Sequence, residues 1–208
     1  MDFNSSETKK NLAKAFAAEC QAGARYQFMA TNAQNEKLFF IKDTMKMLAK
    51  NEMAHAKLFY DYIVDNSGKE TIVDFEADYS YLESKLATSL KKEAEIELRE
   101  FEEIYPEFAE VAKSEGFSDI AESFRLVAKV EQSHASILNM LSKEFAQGTM
   151  YKNRTKQVLR CTNCGHLELR NDGWKTCPLC SLDMGYIMLD YGKIYEECVW
   201  LKNNSQFL

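Results

Sequence analysis

Glu52-x-x-His55 and Glu131-x-x-His134 are the same four-residue pattern met twice, and they use two of the chain's three histidines. Glutamate and histidine three residues apart share one face of a helix. Both faces are otherwise apolar: Ile41, Met45, Leu48, Phe59 and Tyr62 flank the first pair, and Ile120, Phe124, Val127, Leu138, Leu141 and Phe145 flank the second. Two further apolar stripes carry glutamates at their midpoints. One reads Leu12, Phe16, Glu19, Gly23, Tyr26, Ala30; the other reads Leu82, Leu86, Leu90, Glu93, Glu97, Glu100, Ile104. No Arg or Lys stands on these stripe positions to offset the charge. A buried carboxylate takes up a proton or finds a partner, and several converging at one level repel one another. Two metal cations resolve the conflict: carboxylate oxygens neutralise them and neutral imidazoles complete the ligand set. Glu93 is the least secure stripe member, since it can turn to solvent beside Lys92, and Glu95 lies off the stripe.

A second constellation lies downstream. Cys161-x-x-Cys164-Gly and Cys177-Pro-x-Cys180 are two paired-thiol turns that close a tetrahedral four-sulfur metal site, for iron or zinc. Metal is favoured over disulfides in an intracellular chain. Cys20 and Cys198 stand apart, Cys20 as a packed thiol. His166 is expected at the surface and Trp174 in the module's small core.

The elements that must position these groups follow from composition and period. Of the 208 residues 46% are apolar and 28% charged, with net charge −6. This is a globular profile, and its negative balance argues against nucleic acid or an anionic membrane as partner. No apolar run is long enough to cross a bilayer, and the start of the chain lacks a signal-peptide pattern, so a cytoplasmic location is expected. Residues 1–146 carry net charge −8, three of the eight glycines, and abundant helix formers; the remainder carries +2. The expected organisation is a four-helix bundle over 1–147, a linker over 148–156, and a small cysteine module over 157–208. Helices are expected over about 7–32, 37–66, 79–115 and 119–146, closed by Gly68, Gly116 and Gly148, with Ser118 capping the last. Pro106 should bend the third helix. The long link between the second and third helices could cross the bundle. Glu19 to Glu52 spans 33 residues and Glu97 to Glu131 spans 34, so the bundle reads as one helix pair used twice.

Taken together, Ala15-Phe16-Ala17-Ala18-Glu19, Ala24-Arg25-Tyr26, Glu52-Met53-Ala54-His55, Glu97-x-x-Glu100, Tyr105-Pro106-x-Phe108-Ala109, Glu131-x-x-His134 and the two cysteine pairs resemble the rubrerythrin family over nearly the whole chain. The resemblance implies a mainly α fold: a ferritin-like bundle with an oxo-bridged di-iron centre, then a rubredoxin-like domain with one iron. It implies a peroxidase reducing hydrogen peroxide to water in oxidative-stress defence. Electrons would come from a rubredoxin or an NAD(P)H-dependent reductase. A homodimer is also implied. Carried over, Glu52 and Glu131 are bridging carboxylates, Glu19 and Glu97 terminal ligands, and His134 the nitrogen ligand of one iron. Glu100 and His55 alternate on the other iron, while Tyr26 and Tyr105 hold ligand carboxylates. Cys161, Cys164, Cys177 and Cys180 hold the mononuclear iron, with zinc possible as a substitute. The alternative is a ferroxidase or iron-storage protein, which has no need of the cysteine module. A third alternative is a regulatory zinc-ribbon protein. The extension Tyr191 to Leu208 departs from the family pattern.

Overall fold

The computed structural model describes residues 1–68, 71–81, 83 and 85–189, without the side chains of 153 and 154. Leu82 of the expected third stripe, Cys198 and the extension from Tyr191 lie outside the described residues. Helix α1 (Glu7–Asn35) starts where the Ser6 hydroxyl accepts from the Lys9 amide, a side-chain cap for an otherwise unpaired donor. Helix α2 (Phe39–Ser67) runs back along it and stops at Gly68, whose positive φ of 95° suits glycine. The link then returns along α1: Thr71 accepts from the Lys9 ammonium at 2.6 Å, and the Tyr79 hydroxyl donates to the Lys14 carbonyl at 3.1 Å. It therefore crosses the bundle lengthwise, and the next helix runs antiparallel to α1.

The third element departs from expectation. Residues 79–81, 83 and 85 are not helical; α3 occupies Leu86–Arg99, a π-helical turn follows over Glu100–Ile104, and α4 covers Tyr105–Glu115. Pro106 does not simply bend a continuous helix. It falls in the first turn of α4, where its missing N–H costs least, just after the widened turn, in which the Tyr105 amide bonds the Glu100 carbonyl. The extra residue of a π turn rotates everything beyond it about the helix axis. Tyr105, Ala109 and Ala112 are buried as a result, and Ile104 is only partly so. Helix α5 (Ser118–Gln147) closes the bundle; Ser118 is its first helical residue, not its cap.

The interior is layered. One apolar cluster gathers Met29, Ile41, Met45, Leu48, Leu86, Leu90, Leu138 and Leu141. A second, at the opposite end, gathers Leu12, Phe59, Ala109, Phe124 and Val127. Between them lies the layer of buried glutamates.

Strands β1 (Lys152–Arg160) and β2 (Leu167–Asp172) form an antiparallel ribbon; β1 starts inside the stretch read as a linker. Trp174, Leu159 and Ile187 pack with Cys161 and Cys177 in a small third core. The module sits on the turn between α1 and α2. Tyr186 stacks on Phe39 with ring centroids 4.2 Å apart, and Lys37 pairs with Asp183 at 3.4 Å. Gly185 fits against the Lys37 carbonyl where a Cβ would overlap it, 1.7 Å from the oxygen.

Candidate metal centres

Glu19 comes from α1, Glu52 and His55 from α2, Glu97 from α3, and Glu131 and His134 from α5. All of these except His55, at 12% side-chain exposure, are almost completely buried. They form two overlapping groups: Glu19, Glu52, His55 and Glu131, and then Glu52, Glu97, Glu131 and His134, each with donor atoms within 4.8 Å of one another. Glu52 and Glu131 belong to both groups. His55 and His134 face each other with ring centroids 6.1 Å apart. Glu100 is buried but joins neither group; it borders a cavity of about 320 Å³ together with Tyr105 and Arg25.

The geometry is that of atoms aimed at a shared point and not at one another. His134 Nδ1 lies 2.8 Å from Glu131 and 2.9 Å from Glu52. His55 Nδ1 lies 3.0 Å from Glu131 and 3.3 Å from Glu52. Yet both imidazole nitrogens, Glu52 Oε1, Glu97 Oε2 and both Glu131 oxygens lack an aligned hydrogen-bond partner. Buried polar atoms are ordinarily paired, so this concentration of orphans fits two cations. A mixed oxygen and nitrogen set in a four-helix bundle suits iron or manganese.

Metal-free, the site would be a proton store. Burial, reinforced by neighbouring carboxylates, pushes Glu19, Glu97 and Glu100 well above the usual carboxylate range. Burial works against charge on the imidazoles, but the surrounding glutamates outweigh it and hold His134 up to about 10 and His55 up to about 12. Glu52 and Glu131 resist burial through those same imidazoles and stay below the usual range.

Ligand orientation is fixed from outside. The Tyr26 hydroxyl donates to Glu97 Oε1, and that of Tyr105 to Glu19 Oε1. Burial and the adjacent carboxylates raise both phenols, so they keep their protons. Two participants escape the sequence reading. The Asn51 side chain lies 3.3 Å from His134 Nε2, on the ring nitrogen turned away from the cluster. Glu93, the least secure member of its stripe, is fully buried there and paired with Arg25 at 2.6 Å, a partner the stripe did not show. A cation does compensate one carboxylate, from off the stripe.

In the module all four sulfurs lie within 4.8 Å of one another, with Cys161–Cys180 at 3.8 Å and Cys164–Cys177 at 3.6 Å. A tetrahedron with metal–sulfur bonds of about 2.3 Å has edges of about 3.8 Å. A disulfide needs about 2.05 Å. The two turns are alike: the amides of Gly165 and Ser181 bond the carbonyls of Cys161 and Cys177, each at 2.9 Å. Both residues have positive φ. The Leu182 amide helps hold the Cys180 thiol down to about 7. His166 is partly buried against Trp174, with ring centroids 5.6 Å apart, and is not the surface residue expected.

A sequence profile of the rubrerythrin family matches residues 10–157. The chain is 35% identical to the rubrerythrin of Clostridium perfringens over 86% of its own length and 92% of the relative's. The chain belongs to the rubrerythrin family. It is 33% identical to the rubrerythrin of Porphyromonas gingivalis, covering 87% of this chain and 88% of that one. Among solved structures it is similar to mixed-valence nigerythrin, with TM-score 0.58 and 22% identity over 90% of this chain and 92% of that one. It also resembles a bacterioferritin of Desulfovibrio desulfuricans, with TM-score 0.51 and 20% identity over 69% of this chain and 86% of that one. Those likenesses place the bundle among ferritin-like folds. As a rubrerythrin-family bundle with a four-cysteine module, the chain has the donors for a di-iron site and one rubredoxin-like iron. Among the described residues, no helix is long and apolar enough to cross a membrane.

Proposed function

We propose that the chain is a non-haem di-iron peroxidase that reduces hydrogen peroxide to water in oxidative-stress defence. The supporting observation is the pairing, in one chain, of a buried carboxylate–imidazole cluster with a four-thiolate module. Bound iron supplies electrons and Lewis acidity at the cluster and single-electron traffic at the thiolates. The overall balance is one peroxide, two electrons and two protons giving two waters.

In this reading Glu52 and Glu131, which belong to both donor groups, would hold both metals. Glu19 and Glu97 would each hold one, kept in place by Tyr105 and Tyr26. His134 would supply nitrogen to one metal, and His55 or Glu100 would complete the other. The apolar clusters above and below keep bulk water from the ligands. The cavity bordered by Glu100 and Tyr105 gives a small substrate its approach. Residues 1–147 form the reacting domain, 148–156 the connector and 157–208 the electron-relay domain. The donor is a rubredoxin or an NAD(P)H-dependent reductase. A cytoplasmic homodimer belongs to the same proposal, in keeping with the reduced thiols that four-cysteine metal sites require.

The alternative, ferroxidase or iron storage, draws on the bacterioferritin likeness but leaves the cysteine module without a task. Rapid mixing of the reduced, iron-loaded protein with peroxide and with dioxygen separates the two. The peroxidase oxidises faster with peroxide and stops at its bound irons. Faster oxidation by dioxygen, with continued uptake of iron, establishes the storage role instead.

A further inference from the structure

Arg25 on α1 donates from Nε to Glu93 Oε1 at 2.6 Å and from Nη2 to Oε2 at 3.0 Å. This is the two-pronged match of a planar guanidinium with a carboxylate. The Glu93 side chain is 0% exposed and that of Arg25 17%. The next residue on α1, Tyr26, donates to Glu97, one turn further along α3. The two contacts are adjacent rungs joining α1 to α3 at the level of the metal ligands. Arg25 borders both the cavity that reaches Glu100 and a second cavity of about 330 Å³ on the side of Phe28. Its charge is felt at Glu100, and that of Glu52 at Glu93.

We propose that the Arg25–Glu93 pair is a positioning element of the dimetal site. It locks α1 against α3 so that Tyr26 meets Glu97, and by being neutral as a pair it keeps a stray charge from shifting the reduction potential of the metals. The inference rests on reading the cluster as a redox-active di-iron centre. Its logic is Coulombic in a medium that screens poorly. Removing the Glu93 charge leaves an unpaired cation near the metals, which favours the reduced state. Removing the Arg25 charge leaves Glu93 buried without its cation, where it takes up a proton, so no net charge is added.

The test is a redox titration of the bundle irons in the full-length, iron-loaded protein, followed by the electron paramagnetic resonance of the mixed-valence state. Wild type is compared with Glu93→Gln, Arg25→Gln, Arg25→Lys and the Arg25→Gln/Glu93→Gln double variant. Glu93→Gln should raise the midpoint potential, and Arg25→Gln, in which Glu93 takes up a proton, should leave it near wild type. The double variant should also lie close to wild type, and Arg25→Lys should keep the wild-type value. Should Arg25→Gln not fold, Glu93→Gln and Arg25→Lys decide the matter. A Glu93→Gln variant that melts earlier but leaves the potential in place reduces the pair to a structural brace and overturns the proposal. A lowered potential in Glu93→Gln overturns it too. A wild-type centre that cycles but ignores peroxide refutes the peroxidase reading while the order of potentials still tests the pair. A bundle that takes up no iron refutes both.

Discussion

In the bundle the metal donors are as far apart in sequence as Glu19 and His134, and four helices carry them. In the module all four sulfurs fall between Cys161 and Cys180, on two tight turns. The bundle has two buried apolar clusters of fifteen and fourteen residues to hold its donors in place. Among the described residues the module's buried cluster has five, two of them the cysteines themselves. The bundle's geometry is thus set by its core and the metal is a guest. The module is too small to hold its turns without the metal, whose binding energy becomes folding energy. Chelation should therefore melt the module, exposing Trp174, while the helical signal of the bundle persists. Simultaneous loss of both would erase the contrast.

Substitution of a shared ligand gives the largest effect. Glu131→Ala removes donor atoms from both groups and leaves His55 and His134 without their nearest carboxylate. Peroxide turnover should fall more than about a hundredfold, and metal analysis should show fewer than two irons in the bundle. Cys177→Ser should abolish donor-driven turnover yet leave the reduced bundle able to react once with peroxide, as single-turnover mixing would show. If both activities vanish, the two regions do not divide the labour.

Smaller effects sharpen the comparison. Tyr105→Phe frees Glu19 and should cost about tenfold in metal affinity at the bundle, with the module's thiolate spectrum unchanged. The proton store gives a sign. In the metal-free bundle the glutamates hold His134 up to about 10 and His55 up to about 12 against burial, and Glu19 and Glu97 also carry protons. Ligation must expel these protons. Metal affinity should therefore keep climbing with pH until His134, at about 10, and then His55, at about 12, give up their protons, with proton release on loading measurable in weak buffer. A flat profile contradicts the protonated cluster. The smallest effect is at the turns. Ser181 occupies with positive φ the position that Gly165 holds in the other knuckle, so Ser181→Gly should stabilise the metal-bound module by up to about 1 kcal/mol in a chelator-challenge melt.

The metal ligands were legible because burial imposes a period and a metal imposes residue types. A carboxylate in the middle of an apolar stripe violates the period in a way only a partner explains. Cys-x-x-Cys is local, so its spacing alone encodes the turn. Arg25 and Asn51 were not legible as partners of Glu93 and His134, since they stand 68 and 83 positions from them along the chain, and periodicity reports a face, not what lies opposite it. The π turn at Glu100–Ile104 was missed because a period of 3.6 was carried straight through Pro106. One inserted residue moved the buried face from Ile104 to Tyr105, which is why a tyrosine there reaches Glu19. The seat of the module against Lys37 and Phe39 depends on Gly185, a small residue whose use is visible only when the facing carbonyl is in place.

Mössbauer spectroscopy with total metal analysis of the purified, iron-reconstituted protein tests most directly whether cations hold these acidic side chains together. The account predicts three irons per chain: a spin-coupled pair with oxygen and nitrogen ligands, and one tetrahedral sulfur-ligated ion. A bundle that remains metal-free beside a loaded cysteine site, its glutamates neutralised by protons alone, would contradict it.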